Sequence, residues 1–309
     1  LLAIFGAFET RYDRQASKID GQIVITDEFG AIHVLSDEEA QAHYQDVDLV
    51  TTETALPPKN TYLEMLKPWS GSVPHPLRTI LMAWVHMIES FTSPGLLFAV
   101  LVASITLGCT IAISLTYDTV LSQIYGWPEM NVGLVNVGAI IGGIVGMAYA
   151  GWPADRYVIW LAKRNRGVHK PEHRLIMLIP PGIIGMAALL LYGFTASGKA
   201  TWWGPYLGWT LFQSAFVSVL IISTTFAAEA WPKHPGPAIV VVVGTKNLAS
   251  FGASYGLTPM LAAHGYAWAF GVLAGIYGGI FLLGFPIYYF NPKWREYVAK
   301  KEKGGIKNQ

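Results

Sequence analysis

Two carboxylates and one lysine stand inside or at the ends of long apolar runs in this 309-residue chain, and chemistry within a membrane would start from them. Asp118 and Glu229 each close an apolar stretch at its C-terminal end. A carboxyl buried there could exchange protons, because burial raises its pKa toward neutrality; a solvated carboxylate would only mark the helix end. Lys246 lies well inside another apolar run. A lysine at mid-membrane costs about 3 kcal/mol to insert, so it either faces a polar cavity or snorkels its long stem to the interface. Asn247 follows it, turned about 100° around the helix. Gln213 and Asn136 could contact a substrate or hydrogen-bond between helices. Tyr117 and Tyr255 could supply an amphipathic wall for an organic substrate.

Six apolar stretches must position these groups: Pro94–Ser122, Asn131–Gly151, Leu175–Ala196, Trp202–Glu229, Ala238–Ala263 and Tyr266–Phe290. Each is long enough to cross about 30 Å of hydrocarbon at 1.5 Å per residue. Polar residues follow a repeating order among them. The first span carries Thr106, Thr110, Ser114, Tyr117 and Asp118, and the second Asn131 and Asn136. The third is nearly bare, with Pro180-Pro181 as its only irregularity before Tyr192. The fourth and fifth are polar again, from Gln213 to Glu229 and from Thr245 to Thr258, and the sixth is Gly, aromatic and aliphatic. A three-helix unit repeated with inverted topology explains this order, because helices lining a water-filled route carry polar side chains. The glycines of the sixth span read as close helix packing.

Composition points the same way. The chain is 52% hydrophobic with a mean hydropathy of +0.39, and only 13% of its residues are charged, about half the usual share of a soluble domain. A net charge of +1 without a basic, aromatic-interleaved stripe gives no sign of a nucleic-acid partner. The single Cys109 excludes an intrachain disulfide and a cysteine-rich metal site, and its apolar surroundings suggest a small core residue. No paired histidines stand at metal-binding helical spacing, and Gly244-Thr245-Lys246 lacks the spacing of a phosphate loop. No cofactor is expected. His169 and His173 fall on a basic link and read as solvated.

Ahead of the spans, residues 1–8 are apolar and look like the last turns of a membrane helix whose beginning is missing; residues 9–91 are a polar segment. Within it Gln22–Thr26 and Ile32–Leu35 alternate as two strands, with Asp27–Gly30 as their turn. Ser36 reads as a helix cap with Glu39 three positions on. The stretch Pro76–Glu89 is moderately amphipathic and suits the membrane surface or a lead into the first span. Residues 92–292 form the six-helix body and 293–309 a tail. Arg156, Lys163, Arg164, Arg166, Lys170 and Arg174 crowd the link between the second and third spans, and Lys293, Arg295, Lys300, Lys301 and Lys303 lie in the tail. By the positive-inside rule the polar segment, this link and the C-terminus face the cytosol.

At Gly151-Trp152-Pro153-Ala154-Asp155-Arg156 the chain resembles the G-x-x-x-D-R loop motif of the major facilitator superfamily. The continuation through Lys170-Pro171-Glu172-His173-Arg174, the opening Glu9–Arg14 cluster, the Asn60–Trp69 segment and Lys246-Asn247 are similar to the fungal drug:proton antiporter branch with twelve spans. The motif lacks the family's second glycine and carries a Tyr-Val-Ile-Trp-Leu insertion. The resemblance implies an all-α polytopic membrane protein and, specifically, the C-terminal half of that fold. Residues 1–8 would end helix six, and the six spans would be helices seven to twelve. Gly151, Asp155 and Arg156 would then brace the inner gate, against the alternative of a solvated charge pair that orients a loop.

The expected activity is secondary transport of a small organic molecule or cation by alternating access, coupled to protons, at the plasma membrane. Its partners would be the bilayer and an N-terminal six-helix half. The rival readings are a membrane-embedded enzyme acting on lipid, for which clustered His or acidic residues are lacking, and a nonfunctional transporter fragment.

Overall fold

The computed structural model describes residues 18–19, 22–26, 32–36, 76–165, 167, 169–199, 201–231 and 235–306. The expectations for residues 1–8, the Glu9–Arg14 cluster, the Asp27–Gly30 turn, Glu39 and Asn60–Trp69 lie outside these. The chain divides into two units, residues 1–27 with 32–84, and residues 28–31 with 85–309.

In the first unit β1 (Lys18–Ile19), β2 (Gln22–Thr26) and β3 (Ile32–Ser36) form an antiparallel sheet in that order. Val24 faces Val34, and Gln22 faces Ser36. Both strands of the expected hairpin are present, and Ser36 is the last residue of β3. The third strand is two residues long, too short for alternation to show in the sequence. Helix α1 (Pro76–Ser90) follows, 15 residues long, about 22 Å and therefore shorter than the hydrocarbon core.

Among the described residues the second unit is built of helices and the turns between them. Helix α2 (Pro94–Thr119) continues into a π-turn, Val120–Ile124. After the short α3 (Glu129–Val132) come α4 (Val135–Arg164), the single turn α5 (His173–Ile176), α6 (Ile179–Phe194), α7 (Trp203–Ala230), α8 (Pro235–Leu282) and α9 (Gly284–Ile306). Among the described residues five helical segments are long and apolar enough to cross a bilayer: Pro94–Ile124, Glu129–Arg164, His173–Gly198, Trp203–Ala230 and Tyr255–Arg295. The fifth expected span lies on α8, and the sixth runs from α8 into α9. They are divided at Gly265, whose φ of 77° and ψ of 177° end one helical arm and start another. Only glycine adopts that conformation without strain. The last span is interrupted again at Leu283, where Pro286 has no N–H to give the Leu282 carbonyl.

Three boundaries differ from expectation in informative ways. Helix α4 does not stop at Gly151 but runs thirteen residues further to Arg164, so Gly151, Asp155 and Arg156 are helical rather than loop residues. Lys163 and Arg164 in its last turn complement the helix dipole, and Gly167, at φ 83°, donates its N–H to Ala162 to close the end. The Pro180-Pro181 pair, expected within a span, sits in the first turn of α6, where a missing N–H costs no helical bond. Helix α9 carries the last span directly into the basic tail.

Two apolar cores hold the second unit. One gathers Leu96, Phe98, Val102, Leu175, Phe226 and Val242; the other Ile113, Leu121, Tyr192, Trp209, Phe212 and Tyr277. Cys109 is fully buried in the second core, as its sequence context suggested. Helix α4 packs closely on α7 because Gly138, Gly142, Gly146, Ala150 and Ala154 repeat every fourth residue along its buried face. A side chain at Gly142 would overlap the Thr210 carbonyl, and one at Gly146 would meet that of Ser214 at 2.5 Å. The Ser218 hydroxyl donates across this seam to the Gly146 carbonyl at 3.2 Å.

Candidate functional site

At the end of the helices that carries the basic link, Arg174 and His169 approach two acids on different helices. Arg174 on α5 donates from Nη1 to Asp155 Oδ1 on α4 at 3.0 Å and from Nε to Glu229 Oε2 on α7 at 2.7 Å. His169 Nε2 lies 3.3 Å from the same Glu229 oxygen. The arginine side chain is 14% exposed and Glu229 26%, but Asp155 is 58% exposed, so the inner contact is the stronger of the two. Helix α4 reaches Arg174 only because it continues beyond Gly151, and α7 presents Glu229 in its last turn.

A second knot lies two residues away in the link. Glu172 is 2% exposed and accepts from Asn291 Nδ2 at 2.7 Å and from Arg295 Nη2 at 3.0 Å, both on α9. Asn291 in turn accepts the Gly95 N–H at the start of α2 at 3.0 Å. A Cβ at Gly95 would collide with the Asn291 side chain, so glycine is what lets the two helix ends meet. A buried carboxylate requires such partners, since an unpaired one is strongly destabilising. Residues 169–174 therefore act as a strap joining α2, α4, α7 and α9. This arrangement can lock one end of the helices together and, by breaking ion pairs rather than packing, release it.

The sequence placed Asp155 beside its neighbour Arg156, but the structure pairs Asp155 with Arg174. Arg156 is exposed and lies 5.2 Å over the Trp152 ring. Glu229 is ion-paired here rather than solvated. Asp118 is exposed at the end of α2. Reading from sequence missed Glu172, Arg174, Asn291 and Arg295 as a unit, and took His169 and His173 as solvated, whereas His173 is buried. Arg174 had registered only as loop charge.

A second group lies toward the opposite end of the helices. The Asn136 amide donates to the Tyr117 hydroxyl at 3.5 Å, and the Tyr117 ring lies 6.0 Å from Trp209. Gln213 is one turn beyond Trp209 on α7. The Gln213 Oε1 and Trp209 Nε1 atoms are both buried and without a partner among the described residues. Buried polar atoms are normally satisfied, so two orphans a turn apart beside Tyr117 and Asn136 mark a place where a polar ligand group would be stabilised. Trp209 was not foreseen. Lys246, half-buried, and the exposed Asn247 and Tyr255 lie on α8. Tyr255 packs edge-on to Phe251 at 5.0 Å. Among the described residues no hydrogen bond or ring contact joins these three to the Tyr117 group.

The chain is similar to the protein HOL1 of Saccharomyces cerevisiae, with 28% identity over 176 residues, 57% of this chain and 30% of that protein. It is 26% identical to the MFS-type transporter penM of Penicillium rubens over 195 residues, 63% of this chain and 36% of that one. The efflux pump vrtL of Penicillium aethiopicum matches at 24% identity over 221 residues, 70% and 43%. The chain is thus similar to proteins named MFS-type transporters over about three-fifths of its length. No protein-family model matches it. The matched stretch spans between about a third and two-fifths of these relatives' lengths. With its long apolar helices the chain is an integral membrane protein, and of these relatives penM is named a transporter and vrtL an efflux pump.

Proposed function

We propose that this chain is the C-terminal six-helix half of a secondary transporter that moves a small organic molecule or cation by alternating access, with the 169–174 strap as its inner gate. The observation that carries the reading is Arg174, which bridges α4 to α7 through Asp155 and Glu229. A rocking transporter needs contacts at one end that form and break as a set, and charged side chains at helix ends meet that need at a few kcal/mol. In this reading Asp155 serves the gate through Arg174, and Gly151 and Arg156 lie beside it on α4. Glu229 belongs to the gate in this reading, while Asp118, exposed at the far end of α2, stays a candidate for proton exchange. Tyr117, Asn136 and Gln213, now with Trp209, contribute this half's share of the substrate site. Lys246, Asn247 and Tyr255 would reach it only through the partner half.

The similarity to an efflux pump and to MFS-type transporters supports this reading, and the basic link and tail support placing the gate on the cytosolic side, at the plasma membrane. The polar groups on α2, α4 and α7 need a facing N-terminal half, since unsatisfied polar groups in lipid cost several kcal/mol each. The test is flux of a lipophilic organic cation in proteoliposomes holding the chain alone or together with an N-terminal half supplied as a second polypeptide. Saturable flux is expected only with both. Saturable flux from the chain alone as a monomer would overturn the two-half reading.

A further inference from the structure

A histidine shares the acid that Arg174 holds. Glu229 Oε2 accepts from Arg174 Nε at 2.7 Å, and His169 Nε2 lies 3.3 Å from the same oxygen. The His169 side chain is 18% exposed and that of Glu229 26%, so protons can reach the pair while water screens it only in part. Imidazole is the side chain that changes charge in the physiological pH range. When neutral, Nε2 either carries the proton and donates or does not, according to the tautomer. When protonated, both ring nitrogens donate and the contact becomes an ion pair.

The charges around His169 decide which arrangement its proton favours. From α7 it faces Glu229. On the link Lys170 and Arg174 are cations, and Glu172 is turned away to Asn291 and Arg295 of α9. Asp155 of α4 accepts from the other edge of Arg174, so that arginine already has two acids to offset its charge. The His173 ring stands 6.1 Å from the His169 ring, close to perpendicular. It is buried, with Nδ1 lacking a partner among the described residues. A proton on His173 would put an uncompensated charge beside Arg174 and loosen the strap. A proton on His169 does the opposite, because it gives Glu229 a second cation. Parting α7 from the strap would break that contact, so proton binding and closure favour one another.

We propose that protonation of His169 locks the inner gate, so that acid on the strap side holds this end closed and rising pH releases it. The lock rests on the same reading of residues 169–174 as the gate. Its contribution is complete while the imidazole is charged and fades as the proton leaves. Arg174 supplies the permanent part of the closure and His169 the part that senses pH.

The test uses membrane fragments open on both faces, holding both transporter halves, with Cys109→Ala and a cysteine at Thr225, one turn before Glu229 on α7. Labelling by a soluble maleimide is timed at about pH 5.5 and about pH 8, on either side of the histidine range. Thiolate content also changes with pH, so each rate is divided by that of His169→Gln at the same pH, in which a neutral donor remains. At acid pH the wild type should label roughly five-fold more slowly than His169→Gln, the scale of a partly exposed ion pair. At alkaline pH the two should agree. His169→Arg, cationic throughout, should label slowly at both. In a Glu229→Gln background, His169→Gln should change nothing at either pH. Equal rates for wild type and His169→Gln at both pH values, with Arg174→Gln still accelerating labelling, would overturn the histidine lock and leave the gate standing. No acceleration in Arg174→Gln would overturn the gate and the lock with it. A wild type that labels faster than His169→Gln at acid pH would also overturn the lock.

Discussion

Removing the Arg174 side chain as a cation, with Arg174→Gln, should open the strapped end. The Nε–Glu229 bond at 2.7 Å is charge-assisted and mostly shielded from water, and such bonds are worth about 1.5–3 kcal/mol. The Asp155 contact at 3.0 Å has one end 58% exposed and adds about 0.2–1 kcal/mol. Together they favour the closed arrangement by about 2–4 kcal/mol, or roughly 30- to 900-fold in the equilibrium at about 1.4 kcal/mol per ten-fold. A cysteine at Thr225, one turn before Glu229 on the same face of α7, would report the opening in a Cys109→Ala background. Its labelling by a soluble maleimide, with both transporter halves present, should accelerate toward that factor in Arg174→Gln and in Glu229→Gln. The double variant should be no faster than Arg174→Gln alone, since that variant has already lost the Glu229 bond. Exchanging the charges, with Arg174→Glu and Glu229→Arg together, should restore slow labelling. Arg156→Gln should change nothing, because that arginine stacks on Trp152 in water. Equal labelling rates in wild type and Arg174→Gln, or strictly multiplicative effects of the two single variants, would refute the bridge.

Glu172→Ala leaves Arg295 buried without its acid and should cost about 3–5 kcal/mol, seen as a lower thermal unfolding midpoint; Glu172→Met with Arg295→Met should recover most of it. Gly142→Leu drives a side chain into the α7 backbone at Thr210 and should cost at least about 1–3 kcal/mol, read as loss of monodisperse protein in size-exclusion chromatography while Gly279→Leu, where a Cβ would meet nothing within 4 Å, elutes normally. A cysteine in place of Lys163 should be labelled only after the cells are permeabilised, and rapid labelling from outside intact cells would reverse the proposed orientation.

The membrane body was legible in the sequence because insertion depends on local composition. An apolar run long enough to cross hydrocarbon stays apolar whatever it packs against. The inverted order of polar and bare spans, the break at Gly265, the buried Cys109 and the two strands at Gln22–Thr26 and Ile32–Ser36 are all short-range signals. The sequence also pointed to Tyr117 and Asn136, which the fold joins by a hydrogen bond.

Pairing was not legible, because it depends on which helix ends meet. Asp155 and Arg156 are adjacent in sequence, but successive residues on a helix point about 100° apart, and α4 extends far enough for Asp155 to find Arg174 nineteen residues on. Glu172 reaches Asn291 across 119 residues, a separation at which sequence carries no distance information. Trp209 looked like an ordinary member of an apolar helix until burial left its Nε1 without a partner among the described residues. The sequence by itself determined which segments enter the membrane and where polar groups interrupt them. Only the tertiary structure decided which charges neutralise one another, because a Coulombic contact acts over a few ångströms and the fold alone brings residues that close.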